Sequence, residues 1–174
     1  MSLNRDKSPC QYRRRSIQTL LGLVATACLG RGLHAAGPFA SLRFLHIRHR
    51  TYLIELGPHR ILTNPWFSRG PGVPIFARAP APAMMPQDVG QLDLILVTSG
   101  DSVHFDPHGI RKLPERQSYC FVPDEGVATK LRSCGYRRVR VVTAGDSWTV
   151  NGIQVTVSKG EPDIGGNPSV GYRI

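Results

Sequence analysis

The stretch "LDLILVTS", Leu92 to Ser99, constrains this chain more than any other. It is a continuous apolar run bounded by polar residues, and it lacks the polar alternation of a strand with one wet face. A run of this kind suits a strand covered on both sides. Such a strand needs a packed layer above it and another below, which points to an α/β layered domain. The chain has 174 residues, 41% of them hydrophobic and 20% charged, which is room for one ordinary folded domain and not the composition of a disordered chain.

Around that strand, apolar runs alternate with turn signals. "LRFLHIRHRTYLIELG" followed by "HRILTNPWF" reads as strand, Gly57-Pro58 turn and strand. "SRGPGVPIFARAPAPAMMPQDVGQ" is crowded with Pro and Gly and reads as a long surface loop. "DPHGIRKL" has the form of a short helix opening, with Asp106 as N-cap and Pro107 in the first position. "YCFVP", "DEGVATKLRSCGY" and "RRVRVVTAG" predict strand, helix and strand, with Gly135 ending the helix. "DSWTVNGIQVTVSKG" predicts a hairpin with Asn151-Gly152 at its tip, and "NPSVGYRI" opens one more strand.

The formal net charge of +10 raises the question of nucleic acid or an anionic membrane. Residues 1–36 hold six basic residues, Arg5, Lys7, Arg13, Arg14, Arg15 and Arg31, against the single acid Asp6, so half of the excess lies there. The rest shows no run of Lys and Arg interleaved with aromatics on one face, which argues against a specific nucleic-acid site. "RRRSIQTLLGLVATACLGRGLHAAG" combines a basic start, an apolar run from Ile17 to Leu29 and small residues. That run falls short of the roughly 20 apolar residues of a spanning helix, so residues 1–36 read as an export signal, with residues 37–174 as the exported domain. Arg14-Arg15-Ser16-Ile17 resembles a twin-arginine signal, which implies a periplasmic destination in a bacterium. An uncleaved inner-membrane anchor, or a lipoprotein attached through Cys28, is the alternative.

Loss of the leader leaves Cys120 and Cys134. In an oxidising compartment they can pair, or they can be buried as small hydrophobes, and their spacing is not that of a zinc ribbon.

Behind the apolar strand comes "SGDSVHFD", a polar loop with a hydroxyl, carboxylates and an imidazole. Together with "HRTYLIELGPHRILTNPWFS", "GDSWTVNGIQVTVSKG" and "NPSVGYRI", it resembles the N-terminal half of the metallo-β-lactamase superfamily, in particular its bacterial metal-dependent hydrolases. The resemblance implies a partial αββα sandwich, the N-terminal βα half, with a mixed sheet and flanking helices. A second βα half, or a second copy forming a homodimer, is then expected to cover what this half leaves open. It also implies zinc as cofactor and a small-molecule substrate with an ester, lactone, amide or phosphodiester bond.

The family loop reads His-x-His-x-Asp-His, and it holds one or two divalent ions that turn a bound water into hydroxide near neutral pH. Laid on it, Ser99 stands at the first His, Asp101 at the second, Val103 at the Asp and His104 at the last. Asp101 and His104 are the two candidate metal ligands, fewer than the three protein ligands typical of a catalytic zinc site. Lys159 or Gly160 stands where a later His is expected, and Asn64 where the family has Asp in its Thr-Asp-Pro turn. His49 aligns with a hairpin His of structural role. His46 and His108 add imidazoles without a metal spacing beyond His104-x₃-His108, and His108 is expected to face water. Ser99, Asp101 and His104 within six positions seldom reach the geometry of a nucleophilic triad, whose members come from separate elements. Two functions follow: a hydrolase homologue with an impaired or lost metal site, or a non-catalytic binding protein on the same fold.

Overall fold

The computed structural model describes residues 41–68, 81–102, 104–163 and 166–174. The leader, most of the first half of the Pro/Gly-rich loop and Val103 lie outside the described residues, as do Cys10 and Cys28. Among the described residues no helix is long and apolar enough to cross a membrane.

Six strands form one mixed sheet in sequence order: β1 Leu42–Arg48, β2 Thr51–Leu56, β3 His59–Thr63, β4 Leu94–Leu96, β5 Tyr119–Val122 and β6 Val139–Val141. β1, β2 and β3 make an antiparallel meander, and from β3 to β6 the pairing is parallel. The expected single strand over 42–56 is two strands. The chain reverses at His49-Arg50, where neither Gly nor Pro announces a turn. His49 takes a left-handed φ of 52°, its carbonyl lies 2.9 Å from His46 Nε2, and its ring packs edge-on against Trp66. Tertiary contacts hold a backbone conformation that a non-glycine residue seldom adopts.

β4 lies in the middle with Leu94, Ile95 and Leu96 at most 1% exposed, as the continuous apolar run requires. Each fully buried side chain of this kind stabilises the fold by about 1.5–3 kcal/mol. Leu62, Ile95, Val97, Cys120 and Val122 pack on one face against Val127, Ala128 and Leu131 of helix α2 (Glu125–Ser133) and against Ile110 of the short helix α1 (Pro107–Ile110). Ile61, Leu94, Leu96 and Phe121 fill the other face. A second, antiparallel sheet of β7 Ser147–Val150, β8 Ile153–Lys159 and β9 Val170–Arg173 covers them with Val150, Ile153, Val155, Val157 and Val170.

Turn and cap chemistry follow the sequence closely. Asn151 and Gly152 both have positive φ, as a tight β7–β8 hairpin needs. Asp124 accepts from Val127 N at 2.9 Å to cap α2, and Gly135, with φ +94°, follows its C-terminus. Cys120 and Cys134 are both buried and free, so no bond joins them here.

The outward positions of the second sheet carry Ser147, Thr149, Gln154, Thr156, Ser158 and Arg173. An uncovered apolar sheet face, expected of half a sandwich, is therefore not found there. Apolar exposure is concentrated instead at the β1 side of the large sheet, where Leu42 is 56% and Phe44 64% exposed.

Candidate active-site cleft

The site forms where β3 and β4 end, at the carboxyl ends of parallel strands, the usual place for a ligand crevice in such sheets. Asn64, with φ 42°, closes β3. Its Oδ1 accepts from Thr98 N at 2.8 Å and from Thr98 Oγ1 at 3.0 Å, which ties the end of β3 to the end of β4. Val170 N donates to Thr98 O at 2.9 Å, and the Tyr172 hydroxyl donates to Val97 O at 2.9 Å. The second sheet is thereby pinned to the same strand end.

Beyond Thr98 the loop turns tightly, with Asp101 O accepting from His104 N and Phe105 N at 2.9 and 3.1 Å. Asp106 then anchors it. Its Oδ1 accepts from His108 N at 3.0 Å as the expected N-cap, while Oδ2 accepts from Phe67 N at 3.2 Å and Ser68 N at 2.7 Å. Burial works against ionisation of Asp106, but the hydrogen bonds from Ser68, Gly109 and Phe67 outweigh it and hold the carboxyl below the usual carboxylate range.

A cleft of about 450 Å³ opens here, lined among others by Arg50, Ser99, Asp101, His104, Glu161 and Asp163. Three segments far apart in sequence build it. The β1–β2 turn supplies Arg50, whose Nη1 lies 2.7 Å from His104 Nε2. The β4 loop supplies Ser99, Asp101 and His104. The segment between β8 and β9 supplies Asp163, whose Oδ2 accepts from Ser99 Oγ at 2.9 Å and whose Oδ1 accepts from Asn167 N at 2.9 Å.

A guanidinium has only donors to offer, so Nε2 of His104 accepts and the imidazole proton sits on Nδ1. That nitrogen is buried and has no hydrogen-bond partner among the described residues. Burial first, and the charge of Arg50 second, push His104 below the ordinary histidine value, with Asp101 pulling the other way. His104 is neutral at neutral pH.

The expected residues are placed as follows. Asp101 and His104 both line the cleft. Ser99 Oγ bonds Asp163 and accepts from Asp101 N at 3.1 Å, and among the described residues no hydrogen bond joins it to His104, so no nucleophile-base pair is formed. His46 stacks on Tyr52 and His108 is exposed at α1, each away from the cleft. Lys159 ends β8 as an exposed residue. Arg50 and Asp163 were not legible as site residues. Asp163 offered one signal, an acid close behind the point where the family resemblance expects a ligand.

Two stacked sheets with a helical layer on one side, and a polar cleft at the ends of the parallel strands, define half of an αββα sandwich. A family model described as a beta-lactamase superfamily domain matches residues 42–173, and the chain belongs to that superfamily. Among solved structures it resembles a possible metal-dependent hydrolase from Veillonella parvula DSM 2008, with a TM-score of 0.62 at 17% identity over 74% of this chain and 56% of that one. It also resembles an isothiocyanate hydrolase from Delia radicum gut bacteria, with a TM-score of 0.57 at 17% identity over 75% of this chain and 57% of that one. A third likeness is to CmlA, a diiron beta-hydroxylase from Streptomyces venezuelae, with a TM-score of 0.56 at 17% identity over 78% of this chain and 27% of that one. The chain thus spans little more than half the length of the hydrolases it matches. No curated protein matches it.

The metal that such relatives imply can be tested against the donors present. Among the described residues no three His, Cys, Asp or Glu side chains lie close enough to hold an ion together. Nε2 of His104 faces the fixed charge of Arg50, which repels any cation placed beside it. As arranged, the donors among the described residues do not by themselves fit a one- or two-ion centre.

Proposed function

We propose that this chain is an exported homologue of the metal-dependent hydrolases of its superfamily, in which hydrolytic chemistry at the cleft is impaired and the cleft serves binding. The contact between Arg50 and His104 carries the reading. It puts a permanent guanidinium on the imidazole nitrogen that a metal would need, and a guanidinium neither ionises a water nor exchanges ligands. Hydrolysis of ester, lactone, amide or phosphodiester bonds by a metal-activated water is the ancestral activity in this reading, and zinc its ancestral cofactor. The twin-arginine-like leader supports export to the periplasm.

The cleft keeps what binding requires: a polar mouth with the carboxylate of Asp163, the hydroxyl of Ser99 and the cation of Arg50, over a rigid strand end. A small molecule with both donors and acceptors is its occupant.

The test is turnover of p-nitrophenyl acetate and bis(p-nitrophenyl) phosphate, with and without added zinc, for the full chain and His104→Ala. The expected result is the same low background in every arm. Zinc-dependent turnover that disappears in His104→Ala would return the chain to the active hydrolases.

A further inference from the structure

A second cleft shares no lining residue with the first and lies where β6 is an outer strand of the large sheet and β7 an outer strand of the small one. It encloses about 380 Å³, and its lining includes Tyr119, Phe121, Arg137, Arg138, Arg140 and Trp148. A volume of this order suits a small-molecule site. The sequence holds its basic residues in one short stretch, "YRRVRVV", without interleaved aromatics. The fold supplies the aromatics from β5 and β7.

Two of the arginines lie over aromatic rings at cation–π distance. Arg140 Cζ lies 3.7 Å from the centroid of Trp148, and Arg138 Cζ lies 4.9 Å from that of Tyr119. Stacking fixes the plane of a guanidinium and leaves its N–H edge free to donate. Arg140 is in register with Phe121, and Arg138, two positions earlier, points to the same face. The strand rise separates the two positions by roughly 6–7 Å. Among the described residues the ion pairs are those of Arg43, Arg60, Arg132 and His59, and no carboxylate pairs with Arg137, Arg138 or Arg140. Three exposed cations therefore share one groove with no internal counter-charge, above an apolar floor of Tyr119, Phe121 and Val150.

We propose that this groove is a binding site for a phosphate monoester carried on a planar, apolar body. A phosphate dianion has three terminal oxygens and can accept from two guanidinium edges at once, whereas a carboxylate satisfies one fork. The apolar floor and the rim of Trp148 take the body of the ligand. The site is separate from the Arg50–His104 cleft and does not depend on how that cleft is read.

Trp148 is a built-in reporter. The chain has two tryptophans; Trp66 is 3% exposed and Trp148 37%, so a ligand in the groove changes the emission of Trp148. The experiment is a fluorescence titration of the full chain with phenyl phosphate, and with inorganic phosphate and phenol in parallel, on wild type, Arg138→Gln/Arg140→Gln and Arg132→Gln. Arg132 pairs with Glu125 on α2, away from the groove, and controls for the loss of a surface cation elsewhere. The expected result is a saturable change with phenyl phosphate, weaker binding of either fragment, and a loss of about tenfold or more in the double variant, with Arg132→Gln unchanged. Near-UV circular dichroism checks that the variants stay folded. Absence of saturation in the millimolar range, equal loss in Arg132→Gln, or equal affinity for inorganic phosphate would overturn the proposal. Binding to phosphatidylglycerol vesicles without any response to phenyl phosphate would assign the groove to a membrane and overturn it as well.

Discussion

Nη1 of Arg50 lies 2.7 Å from Nε2 of His104, and this contact carries the reading of the cleft proposed above. A cation that cannot lose its proton donates to the one imidazole lone pair available. The imidazole is held neutral, as it would be under a metal, but by a group that brings no open coordination position.

Replacing Arg50 with Met removes the second-largest cause of the depressed His104 value while leaving the first, burial, in place. The His104 pKa is therefore expected to rise in Arg50→Met yet stay below that of an exposed histidine. Titration of the His104 ring protons by NMR measures this directly. An unchanged value would mean that the guanidinium does not sit on the ring in solution.

The same group links stability to pH. His104 has a folded pKa below its unfolded value, so the unfolded chain binds the proton first as the pH falls. Its contribution is fully present above about pH 6.5 and is lost on acidification through the folded value, with a slope of at most about 1.4 kcal/mol per pH unit. Urea unfolding between pH 7.5 and 5 on wild type and His104→Gln (pH range on the order of the histidine window) should show a shallower decline in the variant.

Asp106 does for the loop what a disulfide does elsewhere: one buried carboxylate joins Phe67, Ser68 and the start of α1. Asp106→Ala leaves the amide of Phe67 without its acceptor, and a loss of about 2–4 kcal/mol is expected. Because its folded pKa is depressed, its stabilisation holds at neutral pH and fades as the pH drops below about 4. Thermal unfolding of the variant at pH 7 measures the size of the effect, and its loss of acid dependence below that pH measures the linkage.

Local physics made much of the fold legible. The buried strand, the Asn151-Gly152 hairpin, the cap at Asp106 and the helix end at Gly135 each follow from a few adjacent residues, because backbone hydrogen bonds and left-handed φ values are local demands. The reversal at His49-Arg50 was hidden, because no glycine or proline marks it and the edge-on contact with Trp66 that holds it comes from beyond β3. Ser99, Asp101 and His104 were legible as neighbours on one loop. Their bonds were not: Arg50 reaches His104 across 54 positions and Asp163 reaches Ser99 across 64. The arginine groove shows the same limit, since its aromatic partners come from β5 and β7.

The most direct test is the metal content of the purified chain, by elemental analysis and zinc titration of the wild type beside His104→Ala. The expected result is no stoichiometric zinc, or weak zinc that is indifferent to the substitution. One zinc per chain, lost in His104→Ala, would contradict the account, because it would require Arg50 to leave the imidazole and Asp101 and His104 to join a rebuilt metal site.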